Sequence, residues 1–230
     1  MPEQLTFELA PPQAPSFDNF LPGANDEIVD ALIRAARGAL HETGVVLWGA
    51  GGCGKSHLLQ ALTHEAARAG RCARYVAPAD VVPAEPPGGG ALVAVDDVEN
   101  AAAQAQGALF TLYNALAATG GQLVVASALP PARLPLRDDL RTRLAHGLVY
   151  EVAPLADTAK PAALRRYAQA RGVKLPDDVI DYLLAHFPRD MASLLRAVTA
   201  LDRESLATRR GITVPLVRAL LAKVDRPRNA

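Results

Sequence analysis

GAGGCGKS (49–56) decides how the rest of the chain is read. It satisfies G-x-x-x-x-G-K-[ST]. An apolar, β-branched run, VVLW (45–48), leads into it, and a helical stretch from Ser56 to Ala69 leads out. Strand, glycine loop and helix together are the setting in which this pattern binds phosphate. Gly49, Gly51, Gly52 and Gly54, with Cys53 among them, let successive N–H groups turn inward around phosphate oxygens. Lys55 can reach the β- and γ-phosphates, and the Ser56 hydroxyl can ligand Mg²⁺. His57 follows on the first helical turn and joins the cofactor-binding set, although a structural role facing the sheet suits it better than catalysis. A chance glycine turn would lack these neighbours.

Outward from the loop, short apolar runs alternate with helical periodicity. Apolar residues Ile28, Leu32, Ala35, Ala36 and Leu40 recur at helical spacing over 25–40. Strands are expected at 45–50, 74–77, 91–97, 122–128 and 148–152, and a helix at 104–118. PAEPPGGG (83–90) reads as a surface loop. This alternation predicts an α/β fold, a parallel five-stranded sheet flanked by helices. After Pro154 the strand signal stops. Helices at 158–171, 176–187, 190–207 and 213–223 predict a small all-helical domain. The expected division is an extended tail (1–15), an α/β nucleotide-binding domain (16–153) and a helical domain (154–230).

Asp96 and Asp97 close the apolar strand ALVAVDD (91–97). A carboxylate there can hold a magnesium shell, as in P-loop NTPases. Asp96 is the candidate for that role, and Asp97 is placed to orient water or act as a base. A pair that merely caps the strand is the alternative.

Bulk properties exclude several classes. Lys and Arg number 24 and Asp and Glu 24, so the formal net charge is zero. Nonspecific nucleic-acid binding is not expected from such a balance, and any DNA contact is expected to be indirect or weak. Two cysteines, Cys53 and Cys72, have no metal-like spacing and read as free thiols. The N-terminus is neither basic nor continuously apolar, unlike a signal peptide. No apolar run approaches the ~18 residues that span a bilayer. A cytoplasmic protein is expected.

The ordered motifs resemble the AAA+ family of the replication initiator DnaA, and more closely its short Hda branch. FDNF (17–20), GAGGCGKSHLL (49–59), AVDDVEN (94–100), ASALPP (126–131), LRTRLAHGL (140–148) and KLPDDVIDYLL…RDMASLLRAV (174–198) fall in family order. The resemblance spans about 16–222. It implies an AAA+ P-loop fold with a lid, ADP or ATP with Mg²⁺, and an adenine-side segment carrying Phe17 and Phe20. It implies that Arg143 is an arginine finger acting in a neighbouring subunit, that Arg189 is a lid sensor starting the lid helix, and that Ser127 is a polar sensor at a strand end. Arg143 could otherwise be a solvated helix arginine, and Arg141 a surface-pair residue.

On this resemblance, a chain ending at Ala230 is expected to lack the further DNA-binding domain that DnaA carries. QLTFEL (4–9) resembles the hexapeptide by which replication proteins dock on the sliding clamp. Gln4 would bond at the pocket mouth while Leu5, Phe7 and Leu9 anchor. The resemblance therefore implies a regulatory inactivator of DnaA. It would dock on the DNA-loaded clamp (the β subunit of the polymerase) and promote hydrolysis of DnaA-bound ATP. DnaA and the clamp are its partners, and self-association is compatible with the family. Weak or absent intrinsic ATPase is expected, because Asp97 is one methylene shorter than the Glu common at the AAA+ base position. The alternative is an autonomous AAA+ ATPase acting like DnaA or a helicase loader.

Overall fold

The computed structural model describes residues 14–81 and 88–224. QLTFEL, the rest of the tail to 13, and loop residues 82–87 lie outside the described residues. Five strands, β1 (Gly44–Trp48), β2 (Ala73–Val76), β3 (Leu92–Val95), β4 (Gln122–Ser127) and β5 (Leu148–Glu151), form one sheet in the order β2-β3-β4-β1-β5. Every pairing is parallel; Val45 to Trp48 lie opposite Val124 to Ser127 on one side and Leu148 to Glu151 on the other.

Side chains alternate across a strand, so each strand feeds two cores. Val45 and Leu47 pack with Leu92, Ala94, Val124 and Ala126 under α1 (Asp26–Ala36) and α2 (Lys55–Arg68). Val46 packs with Val93, Val95, Leu123 and Val125 under α3 (Ala103–Thr119) and α4 (Asp138–Ala145). Burial on both faces explains why β1, β3 and β4 read as unbroken apolar runs.

Two elements differ from expectation. The helix predicted over 25–40 stops at Ala36. Gly38 takes φ +71°, and the N–H groups of Gly38 and Ala39 turn back to the carbonyls of Ala35 and Arg34. This is a Schellman stop, a left-handed turn that glycine adopts without strain. Leu40 is nonetheless buried, in the connection that follows. Helix α4 receives no bounds from the sequence, although Arg143 is weighed as a helix residue. Its eight residues bury only Leu140 and Leu144, too few turns for periodicity to register.

The C-terminal helices are α5 (Lys160–Ala170), α6 (Asp177–His186), α7 (Met191–Thr208) and α8 (Val214–Val224). Their core, including Leu164, Ile180, Leu183, Leu194, Leu201 and Val217, is a third cluster separate from the sheet's two. Asn25 ties the sheet layer to the segment that leads there. Its amide donates to Ala153 O at 2.9 Å and its oxygen accepts from Ala153 N at 2.8 Å. Among the described residues no helix is long and apolar enough to cross a membrane.

Candidate functional site

The glycine loop leaves β1 at its carboxyl end, between β4 and β5, and opens α2. An open parallel sheet binds ligands at that end, where strand order reverses. The loop is roofed from two directions. A Cβ at Gly54 (φ +107°) would lie 2.8 Å from the Phe20 ring, and one at Gly52 (φ +75°) 2.6 Å from Asp190 Cβ. Only glycine fits both the backbone and the space. The resulting cleft, of about 620 Å³, runs from the loop to Leu195 on α7 and has the size of a ligand site. Gly51 to His57, Phe20, Asp97 and Arg189 all line it.

Lys55 is buried, and its ammonium donates to Gly49 O at 2.7 Å and Ala50 O at 3.0 Å, with Cys53 Sγ at 3.8 Å. The charge is thus stored against the loop's own carbonyls, beside the N–H groups and positive dipole end of α2. Ser56 is exposed in the first turn. These groups fit a nucleotide's phosphates.

Strand β3 delivers two carboxylates just beyond its end. Asp96 is buried; its Oδ1 accepts from Asp97 N at 3.1 Å and its Oδ2 from the Tyr75 hydroxyl at 2.7 Å. Asp97 takes φ +47°, a left-handed conformation that Asp tolerates, and this aims it into the cleft where Asp96 does not line it. Burial, then the Asp96 and Glu99 charges, push the Asp97 carboxyl above the usual range, against the pull of Lys55. Burial and Asp96 likewise raise the Tyr75 phenol, which stays a donor at neutral pH. Among the described residues no three His, Cys, Asp or Glu could hold a metal by themselves. The hydroxyl of Ser56 and the two aspartates are hard oxygen donors, too few for a protein cage. They fit Mg²⁺, which is commonly held by one or two carboxylates plus phosphate oxygens and water.

Of the two expected adenine-side phenylalanines, Phe20 lines the cleft, whereas Phe17 packs on the core beneath α1 and α2. His57 departs from expectation. It faces the 16–20 segment and not the sheet, its Nε2 donating to Ser16 O at 3.0 Å and its ring 5.5 Å from that of Phe20. His64 Nδ1 bonds Pro15 O at 2.9 Å. Residues 15 and 16 are therefore pinned to α2, although 15 reads from sequence as tail.

Burial lowers the His57 pKa from its ordinary 6.5, against the Ser16 bond. A folded-state pKa below the unfolded one means the unfolded chain binds more protons, so stability rises with pH through that window. Melting curves from pH 5 to 8 are expected to show stability falling as pH drops through 6.5 and below. His57→Gln is expected to flatten this dependence.

The helical lid contributes side chains that the sequence did not single out. Asp190 caps α7, accepting from Ser193 N at 2.8 Å, so the helix begins at Met191 and Arg189 stands outside it. Burial pushes the Asp190 carboxyl up, but the Ser193 bonds and the Arg196 charge outweigh it and hold it low. Arg189 lines the cleft but bonds Asp157 at 3.0 Å, and the same carboxylate takes buried Lys160 at 2.5 Å. Arg166 donates to Asp18 O at 2.5 Å, joining α5 to the Phe17–Phe20 segment. Ser127 is fully buried, its Oγ accepting from Leu129 N at 2.9 Å, and does not line the cleft.

Arg143 lies elsewhere. It is exposed on the last turn of α4 and makes no ion pair among the described residues, while Arg141 pairs with Asp138 at 2.5 Å and Arg137 with Asp139 at 2.7 Å. Its carbonyl is 3.7 Å from a Cβ built on Gly44, at the amino end of β1. The phosphate loop begins at the other end of that strand, about 16 Å away at 3.3 Å per residue.

Comparison with known proteins places this geometry. Residues 157–221 match the family model of the Hda lid domain. Domain III of the Thermotoga maritima replication initiation protein DnaA superposes with a TM-score of 0.79 at 20% identity, covering 92% of this chain and 97% of that one. AMPPCP-bound DnaA from Aquifex aeolicus gives 0.67 at 22% identity, over 85% of this chain and 66% of that one. The Thermotoga maritima RuvB Holliday junction branch migration motor gives 0.70 at 16%, over 89% and 70%. The chain therefore has the AAA+ fold, is similar to domain III of DnaA, and carries an Hda-like lid domain over residues 157–221.

Proposed function

We propose that the chain is an Hda-like regulator of replication initiation, which binds nucleotide in its own cleft and acts on the nucleotide of a DnaA neighbour. The supporting observation is the position of Arg143. It is exposed, unpaired among the described residues, and at the far end of β1 from its own phosphate loop. Such an arginine is suited to a site on another subunit, where its guanidinium stabilises charge on a transferring phosphoryl group.

Within its own cleft, residues 49–56 hold the phosphates of ADP or ATP through backbone N–H groups. Lys55 exchanges its carbonyl partners for phosphate oxygens, and Arg189 approaches from the lid after release from Asp157. Ser56 and Asp96 would hold Mg²⁺, Asp97 would orient water, and Phe20 would close the base side. Magnesium supplies charge neutralisation at the phosphate oxygens. Ser127, buried and bonded to its own turn, serves as a sensor only through its strand end. Residues 16–153 act as the nucleotide-binding body and 154–230 as the lid.

Docking is assigned to the tail. Gln4, Leu5, Phe7 and Leu9 engage the sliding clamp, which brings Arg143 to clamp-associated DnaA in the cytoplasm. Deleting residues 2–12, which spares Pro15 and Ser16, is expected to abolish retention on DNA-loaded clamp and leave the melting temperature unchanged. Gln4→Ala with Leu5→Ala is expected to do the same. Undiminished retention by either variant would contradict tail docking.

A further inference from the structure

Tyr75 sits in β2 at the edge of the sheet, opposite Ala94 of β3, and is 39% exposed. Its hydroxyl crosses to the end of β3 and donates to Asp96 Oδ2 at 2.7 Å. The other oxygen, Oδ1, accepts from Asp97 N at 3.1 Å. Both oxygens of the buried carboxylate are thus engaged, and among the described residues neither Ser56 nor Lys55 engages them. Asp97 lines the cleft and Asp96 does not.

We infer that Tyr75 is a positioning residue that latches Asp96 toward the sheet edge and so weakens the hold of this site on a divalent cation. The inference rests on the assignment of Asp96 to the magnesium shell. An O–H donor on a carboxylate is a charge-assisted bond, stronger than a neutral one. It occupies a lone pair on Oδ2, draws off negative charge, and fixes the carboxyl plane toward β2. For Asp96 to serve a cation at the loop, Oδ2 must give up this bond or share its charge with it, and either lowers affinity. The latch is set by a phenol on an edge strand, whose hydroxyl also has a side-chain hydrogen bond with Gln60. Nucleotide held by the loop's N–H groups and Lys55 does not depend on the latch.

Removing only the hydroxyl tests this. Mn²⁺, which is paramagnetic, reports occupancy of the cation site directly. Its affinity is measured by electron paramagnetic resonance in the presence of saturating ADP, for wild type, Tyr75→Phe, Asp96→Asn and the double variant. Metal-free ADP affinity and melting temperature are measured on the same samples. Tyr75→Phe is expected to bind Mn²⁺ about ten- to a hundredfold more tightly, the scale of one hydrogen bond to a charged group, with metal-free ADP affinity unchanged. Asp96→Asn is expected to lose Mn²⁺, and the double variant to show no gain over it.

Unchanged or weaker Mn²⁺ binding by Tyr75→Phe overturns the latch, as does a gain that persists without the Asp96 carboxylate. Wild-type Mn²⁺ binding by Asp96→Asn overturns the metal assignment itself. The two failures therefore separate.

Discussion

Replacing Lys55 with alanine is expected to abolish tight binding of both ADP and ATP. Lys55 carries the one full positive charge on the loop itself, and the fold has already buried it there. Its present partners, the carbonyls of Gly49 and Ala50 at 2.7 and 3.0 Å, are neutral acceptors. Phosphate oxygens in their place would give charge-assisted bonds in a half-closed cleft. Truncating one partner of a desolvated charge pair costs about 2–5 kcal/mol, or roughly 30- to 4,000-fold in affinity. The remaining N–H groups of the loop would hold diphosphate only weakly. Titration calorimetry checks this, with a melting curve to show that the fold survives. Wild-type affinity in Lys55→Ala would mean that the loop does not bind phosphate as its pattern implies.

The site was legible where the sequence constrains backbone. Gly52 and Gly54 stand at positive φ with neighbours that leave no room for a Cβ, and a glycine in such a place is visible as a pattern. The sheet was legible for a related reason. Strands buried on both faces must be apolar throughout, so β1, β3 and β4 stood out, and their order around the loop gave the fold class.

Long-range pairing was not legible. That Asp96 is taken by Tyr75, 21 residues away, depends on which strands adjoin. Nothing in ARYV (73–76) or AVDD (94–97) states it. Asn25 and Ala153 are separated by 128 residues, and Arg166 and Asp18 by 148. These residues line the edges of the cleft, and their contacts depend on the tertiary fold. Arg189 was located in sequence, but its attachment to Asp157 was hidden for the same reason. The bounds of helix α4 were missed because two buried leucines in eight residues carry little period, even though Asp138 and Asp139 mark its first turn as acids do at a helix N-terminus. Residues 14 and 15 read as tail because the tie of Pro15 to His64 is through a main-chain carbonyl, as is the neighbouring tie of Ser16 to His57, which no side-chain pattern reveals.

Arg143→Ala is expected to remove the stimulation of ATP hydrolysis on DnaA while leaving the rest of the protein's behaviour intact. An arginine that acts on charge developing in a neighbour's transition state contributes nothing to ground-state binding in its own cleft. Nucleotide affinity should therefore match wild type, since the loop lies a strand's length away. Clamp docking should also match, because it is proposed to rest on the tail. The loss itself should be large, within the ~10³–10⁵ range attributed to arginine fingers in phosphoryl transfer, up to whatever stimulation the wild-type protein gives. Arg143→Lys should rescue poorly, because an ammonium keeps the charge and lacks the planar fork that spans two oxygens. The deciding measurement is the rate of ATP hydrolysis by DnaA in a reaction with clamp loaded on DNA and either wild-type or Arg143→Ala protein. Stimulation by wild type alone, with nucleotide still bound to the variant, is the expected result. Equal stimulation by the variant, or loss of the variant's own nucleotide, would contradict an arginine acting in trans.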